Sequence, residues 1–215
     1  MRALTPMRIE AGGPFQAATP AIVLASGSAT RRTLLASTGL RFTAFAPDVD
    51  ETAVKIATRR DGGTPEHSAM ALAGLKAAAF QGQDDVLVIG CDQILVCNNV
   101  WFDKPATLAI ARDHLQHLRG RTHTLVTATI CMRRGQRVWS HMAKPKLTMR
   151  NFTNTFLDAY LAEEGEAVLH SVGCYRVEGL GMQLFDAMEG EHSAILGLPL
   201  TPLLAYLRAQ SIALA

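Results

Sequence analysis

The chain has 215 residues, 48% of them apolar, which is enough for one or two globular domains with a buried core. Its 21 Lys and Arg against 19 Asp and Glu leave a formal charge of +2, too small and too evenly spread to mark a nucleic-acid polymer or a membrane surface as a partner. No apolar run approaches the roughly 20 residues that span a bilayer, and Cys91, Cys97, Cys131 and Cys174 fit neither a CxxC metal pair nor a disulfide framework, so a cytoplasmic protein with buried, reduced thiols is expected.

Residues 1–20 carry Arg2, Arg8 and Glu10 without the apolar stretch of a secretory signal and read as a flexible leader. No repeat, low-complexity tract or linker divides the rest of the chain, and residues 21–210 read as a single domain. Ile22–Ala25 predicts a buried strand, followed by the polar turn Ser26-Gly27-Ser28 and a helix stopped at Gly39. A short strand over Phe42–Ala46 runs into the acidic stretch Asp48, Asp50, Glu51. Pro65 and Glu66 open an Ala-rich helix to Phe80. Val86–Ile89 predicts another buried strand, and Ile94–Cys97 with Val100–Phe102 a hairpin about Asn98-Asn99. A helix over Leu108–Leu118 ends at Gly120. Thr122–Met132 and Arg137–Thr148 pair across Arg134-Gly135, a helix follows over Thr153–Glu163, and a last one spans Pro202–Gln210. Strand-length apolar runs alternating with helical periods predict an α/β fold: a long, mixed, twisted sheet flanked by helices.

Three groups of residues suggest chemistry. Ser26-Gly27-Ser28-Ala29-Thr30-Arg31-Arg32 sits between a strand and a helix, where free N–H groups, two hydroxyls and two guanidinium groups make a cradle for phosphate or, more plainly, an ordinary Ser cap with solvated arginines. The run lacks the GxxxxGK[ST] pattern of a P-loop. Asp92 is the only ionisable residue in an apolar stretch of about ten, so it should meet a cation, sit at a strand end, or both. Asp48, Asp50 and Glu51 offer hard oxygens of the kind that bind Mg²⁺ or Mn²⁺, or form a solvated loop. Lys76 and Lys104 are lone lysines that could neutralise a triphosphate. His114-x-x-His117 lacks an HExxH context and reads as packing, and no GxSxG elbow is present.

Taken together and in order, LASGSATRRTLL (24–35), DVDE (48–51), LAGLKA (72–77), VIGCDQILV (88–96), KP (104–105), LRGRTHTLVTA (118–128) and EGLGMQLFDAMEGEHSAILGLPL (178–200) resemble the Maf family of nucleoside triphosphate pyrophosphatases. The resemblance covers about Ile22 to Leu207. It implies hydrolysis of a nucleotide between its α- and β-phosphates with a divalent metal, Mg²⁺ or Mn²⁺. It further implies the elongated fold shared with inosine-triphosphate pyrophosphatases, two lobes around a nucleotide cleft, and commonly a homodimer. Asp92 matches the catalytic acid, assigned as proton acceptor close to the metal, and Glu51 the acid of a DE pair that serves as a metal ligand. Ser26, Ser28 and Arg31 match a phosphate-binding loop, and Lys76 and Lys104 two phosphate-facing lysines.

Gln93 and Glu178 resemble the branch that cleaves 7-methyl-GTP to 7-methyl-GMP and pyrophosphate, where a dTTP/UTP-cleaving branch has Thr and Gln. A carboxylate at Glu178 can accept from guanine N1–H and N2–H together. Thr30 stands where that branch has an aromatic residue, and Ala29 replaces the usual Pro. Thr30, Gln93 and Glu178 are therefore the expected specificity positions. The rival readings are a dTTP/UTP pyrophosphatase of the same family and a non-catalytic nucleotide-binding regulator of septum formation or division.

Overall fold

A computed structural model describes residues 12–82 and 85–215 of the chain. Contacts divide it into two compact units: unit 1 holds the described residues up to Asp92 with Ala128–Met142 and Gly197–Ala215, and unit 2 holds Gln93–Thr127 with Ala143–Leu196. Among the described residues eight strands form one mixed sheet: β1 (Ala21–Ala25), β2 (Phe42–Phe45), β3 (Val86–Cys97), β4 (Val100–Phe102), β5 (Thr122–Arg133), β6 (Gln136–Ala143), β7 (Lys146–Met149) and β8 (Phe185–Glu189). The order is β2-β1-β3-β5-β7-β8, with β4 paired to β3 and β6 to β5. Seven α-helices accompany it among the described residues: α1 (Ala29–Ala36), α2 (Glu51–Arg60), α3 (Pro65–Ala78), α4 (Leu108–Leu118), α5 (Asn154–Glu164), α6 (His192–Ile195) and α7 (Leu200–Ala209). The open mixed sheet with flanking helices is the α/β class expected.

In unit 1, β1 pairs in parallel with both β2 and β3, each return made through helix. β1 is buried throughout, and its alternation feeds two cores. Ile22 and Leu24 join Leu35, Ile89, Cys91, Cys131 and Leu203, whereas Ala21, Val23 and Ala25 join Ala77, Val86 and Val88. In unit 2, Leu95, Phe102, Leu115, Leu125, Leu147, Phe152, Leu157 and Tyr175 belong to a third core. The hairpin between β3 and β4 turns on Asn98 and Asn99, both at positive φ, the geometry of a tight two-residue loop. His114 and His117 each pack a ring against Phe102, as expected of packing histidines. All four cysteines are buried and free of disulfides, and no helix among the described residues is long and apolar enough to cross a membrane.

Residues 1–11 of the expected leader lie outside the described residues. Gln16 is buried, bridges Ala213, and accepts the Arg41 N–H at 2.8 Å through its side chain. Ala17 N–H donates to the Ile212 carbonyl at 2.9 Å. The expected segment Arg137–Thr148 is two strands, β6 and β7, both paired with β5, and other elements differ as well. Val86–Ile89 and Ile94–Cys97 are one continuous strand, and the acidic stretch after β2 leads into helix α2, capped by Asp50, whose carboxylate accepts the Ala53 N–H at 2.9 Å.

Candidate functional site

The polar centre of unit 1 follows from one glycine. On β3, Val88, Gly90 and Asp92 point to the same face by strand alternation. A Cβ at Gly90 would lie 2.1 Å from the Ala73 carbonyl oxygen and 2.8 Å from the Ala77 nitrogen, so only glycine lets α3 lie this close to the strand. Lys76 on α3 consequently reaches Asp92, its Nζ 2.6 Å from Oδ1, and stands 2.6 Å from Oε1 of Glu51 at the start of α2. Asp92 lies inside β3 rather than at a strand end, so of the two solutions open to a buried carboxylate the structure uses the cation. Asp92 is 3% and Lys76 7% exposed. Burial raises the Asp92 carboxyl above its ordinary value, Lys76 and then Arg31 oppose that shift, and Glu51 adds to it. Oδ1 is held by Lys76, while Oδ2 is buried with no partner.

The loop between β1 and α1 packs beside this cluster. Ser28 caps α1, its Oγ accepting the Arg31 N–H at 3.3 Å, and the buried Ser26 Oγ accepts the Ser28 N–H at 3.2 Å. Arg31 turns its side chain inward: Nε donates to the Gly197 carbonyl at 2.8 Å, and Nη1 to the Cys91 carbonyl at 3.0 Å and Ser26 Oγ at 3.5 Å. Gly197 sits at φ +96°, and a Cβ there would come within 3.0 Å of Arg31 Nε. The guanidinium thus ties the loop, the residue before Asp92 and the Gly197 turn through Nε and Nη1. The first N–H groups of α1 lack helical acceptors by geometry, and of these the Arg31 N–H is taken by the Ser28 cap. Thr30 is half-buried in the first turn of α1.

Among the acids after β2, Asp50 is spent on the cap of α2, Asp48 is exposed, and Glu51 alone joins Lys76. No group of three or more His, Cys, Asp or Glu side chains converges among the described residues. Glu51 and Asp92 are the pair that could hold a divalent ion. Two hard carboxylates, one with an unpaired buried oxygen, suit Mg²⁺ or Mn²⁺, which complete their shells with phosphate oxygens and water.

In unit 2, Gln93 follows Asp92 on β3 and faces the opposite way by alternation. Its amide nitrogen donates to Thr127 Oγ1 at 2.8 Å and to the carbonyls of Ala194 and Ile195, each at 3.1 Å. Lys104 is exposed ahead of the buried Pro105. Glu178 is exposed in a turn, where its charge acts on Arg176. Sequence reasoning did not single out Thr127 or the Gly197 carbonyl. Thr127 and Thr129, polar at period two within the otherwise apolar run 125–132 of β5, were the available signal for the former; a backbone carbonyl carries none.

A family profile described as "Maf-like protein" matches residues 21–210. A protein of Rhodospirillum rubrum named nucleoside triphosphate pyrophosphatase is 46% identical over 202 residues, covering 94% of this chain and 100% of its own length. One of the same name from Granulibacter bethesdensis is 48% identical over 188 residues, 87% of this chain and 95% of its own. A Rhizobium johnstonii protein named 7-methyl-GTP pyrophosphatase is 44% identical over 191 residues, 88% of this chain and 96% of its own.

Proposed function

The chain belongs to the Maf family, and from that premise we propose that it is a hydrolase that cleaves nucleoside triphosphates between the α- and β-phosphates to a monophosphate and pyrophosphate. The observation that carries the reading is the meeting of Glu51, Lys76 and Asp92 beside the Ser26–Arg31 loop, since it joins a buried base to cations and a phosphate cradle. Lys76 opposes the upward pull of burial on the Asp92 carboxyl, and Asp92 is the group that would take a proton from water as that water attacks the α-phosphorus. Charge gathering on the departing pyrophosphate is met by Lys76 and by Arg31, with Lys104 added by resemblance. Glu51 and Asp92 would hold a Mg²⁺ or Mn²⁺ ion, which when bound neutralises phosphate charge and polarises the reacting oxygens.

Relatives of both names support the broader activity. The finer reading, 7-methyl-GTP as substrate, rests on Gln93 and Glu178, whose oxygens suit the N–H donors of a guanine edge, with Thr30 as the third position. Pyrophosphate and monophosphate release is measured across 7-methyl-GTP, GTP, ATP, CTP, UTP and dTTP with Mg²⁺ or Mn²⁺. The highest kcat/KM is expected for 7-methyl-GTP; dominant UTP or dTTP cleavage overturns the base assignment and leaves the reaction class standing. Asp92→Asn is expected to lose at least about 10³-fold in kcat with an unchanged circular dichroism spectrum. An unimpaired Asp92→Asn enzyme overturns the mechanism.

A further inference from the structure

The Gln93 amide has its orientation decided by its partners. Its nitrogen faces three acceptors, Thr127 Oγ1 and the carbonyls of Ala194 and Ile195, and a carbonyl can only accept, so the opposite amide orientation would set oxygen against oxygen. Thr127, wholly buried on β5, donates its own hydroxyl to the Ala194 carbonyl at 3.2 Å, which leaves its lone pair to receive Gln93. Ala194 and Ile195 end the four-residue helix α6, so their carbonyls lie beyond its own i+4 ladder and are open to the Gln93 amide. Both amide hydrogens are committed, and Oε1 is turned away from α6 with only acceptor capacity to offer.

We propose that Thr127 is a positioning residue that, with the Ala194 and Ile195 carbonyls, locks Gln93 as an acceptor and so restricts the nucleobase to one presenting adjacent N–H donors, as the guanine edge does. The inference rests on Gln93 reading the base. A free glutamine amide can offer either end and matches many base edges. A locked one adds its oxygen to the carboxylate of Glu178, and two acceptors oppose the carbonyl oxygens that flank N3–H in uracil and thymine.

The test compares kcat/KM for 7-methyl-GTP over UTP in wild type, Thr127→Val, Thr127→Ser and Gln93→Ala, with Tm recorded for each. Thr127→Val keeps the bulk and removes the hydroxyl; it is expected to lower the ratio about ten-fold, through KM more than kcat. Thr127→Ser restores the hydroxyl and is expected to keep the ratio within about two-fold of wild type. Where Thr127→Val does not fold, Thr127→Cys, a weak hydrogen-bonding partner of similar size, gives the same readout. Where turnover is absent, Kd values for α,β-methylene analogues of the two nucleotides supply the ratio. A ratio that moves in Gln93→Ala but not in Thr127→Val, even if Tm falls, overturns the positioning role alone. A ratio unmoved in Gln93→Ala overturns the reading of Gln93 beneath it, and this inference with it.

Discussion

A carboxylate inside an apolar strand persists because a lysine was brought to it. Asp92 and Lys76 are both more than nine-tenths buried, and each would be costly alone. Removing the ammonium in Lys76→Met leaves Asp92 with no cation at contact distance and Glu51 without its 2.6 Å partner. The expected cost is roughly 3 kcal/mol of unfolding free energy, read from urea denaturation. The same variant should move the acid limb of the kcat/KM profile to higher pH, because the Asp92 carboxyl, already raised by burial, loses the nearest charge that lowers it. A limb that stays in place would mean that Asp92 is not the titrating base. At this scale the sequence was partly informative. Asp92 stood out as the one ionisable residue in its apolar run, but Lys76 looked like any lone lysine on a helix, since its role depends on the next strand, 16 residues on, passing under it. Thr127 was hidden for a similar reason: its partner Gln93 lies 34 residues away and the shared carbonyls 67 or more.

Among the elements, the α3–β3 contact sets the site. Gly90→Ala would thrust a Cβ into the backbone of α3 and push the helix that carries Lys76 off the strand that carries Asp92. About 3 kcal/mol of destabilisation is expected from thermal or chemical unfolding, with a matching fall in kcat. Full stability in Gly90→Ala would contradict the close approach. The turn chemistry made many boundaries readable. Asn98-Asn99 marked the hairpin, Thr153 capped α5 with its Oγ1 accepting the Phe156 N–H at 3.2 Å, and Ser28 capped α1. The misplaced boundaries have physical causes. Asp92 interrupted the apolar pattern of β3 and made one strand look like two. The acids before α2 resembled a solvated turn, although Asp50 followed by Glu51 is also the pattern of a helix start. β8, with the exposed residues Asp186 and Ala187, offers little alternation, and its place comes from pairing with β7.

For the molecule as a whole, acid sensitivity is set in part by a histidine far from the chemistry in sequence. His123 is 1% exposed in unit 2, its Nε2 2.7 Å from the Tyr175 hydroxyl and its Nδ1 buried without a partner. Burial lowers its pKa from 6.5 to about 4. The unfolded chain therefore binds the extra proton first, so this contribution to stability is full above pH 6.5 and is lost as pH falls toward 4. Between pH 7 and pH 5 the loss should be about 2 kcal/mol, measured by denaturant midpoints, and His123→Gln should flatten that dependence. An equal slope in the variant would assign the acid sensitivity to other groups. The site of water attack is read by turnover of 7-methyl-GTP, or of the best nucleoside triphosphate, in ¹⁸O-labelled water followed by mass spectrometry. Attack on the α-phosphorus places the label in the nucleoside monophosphate and leaves the pyrophosphate unlabelled; label in the pyrophosphate, or release of single phosphates, would contradict it.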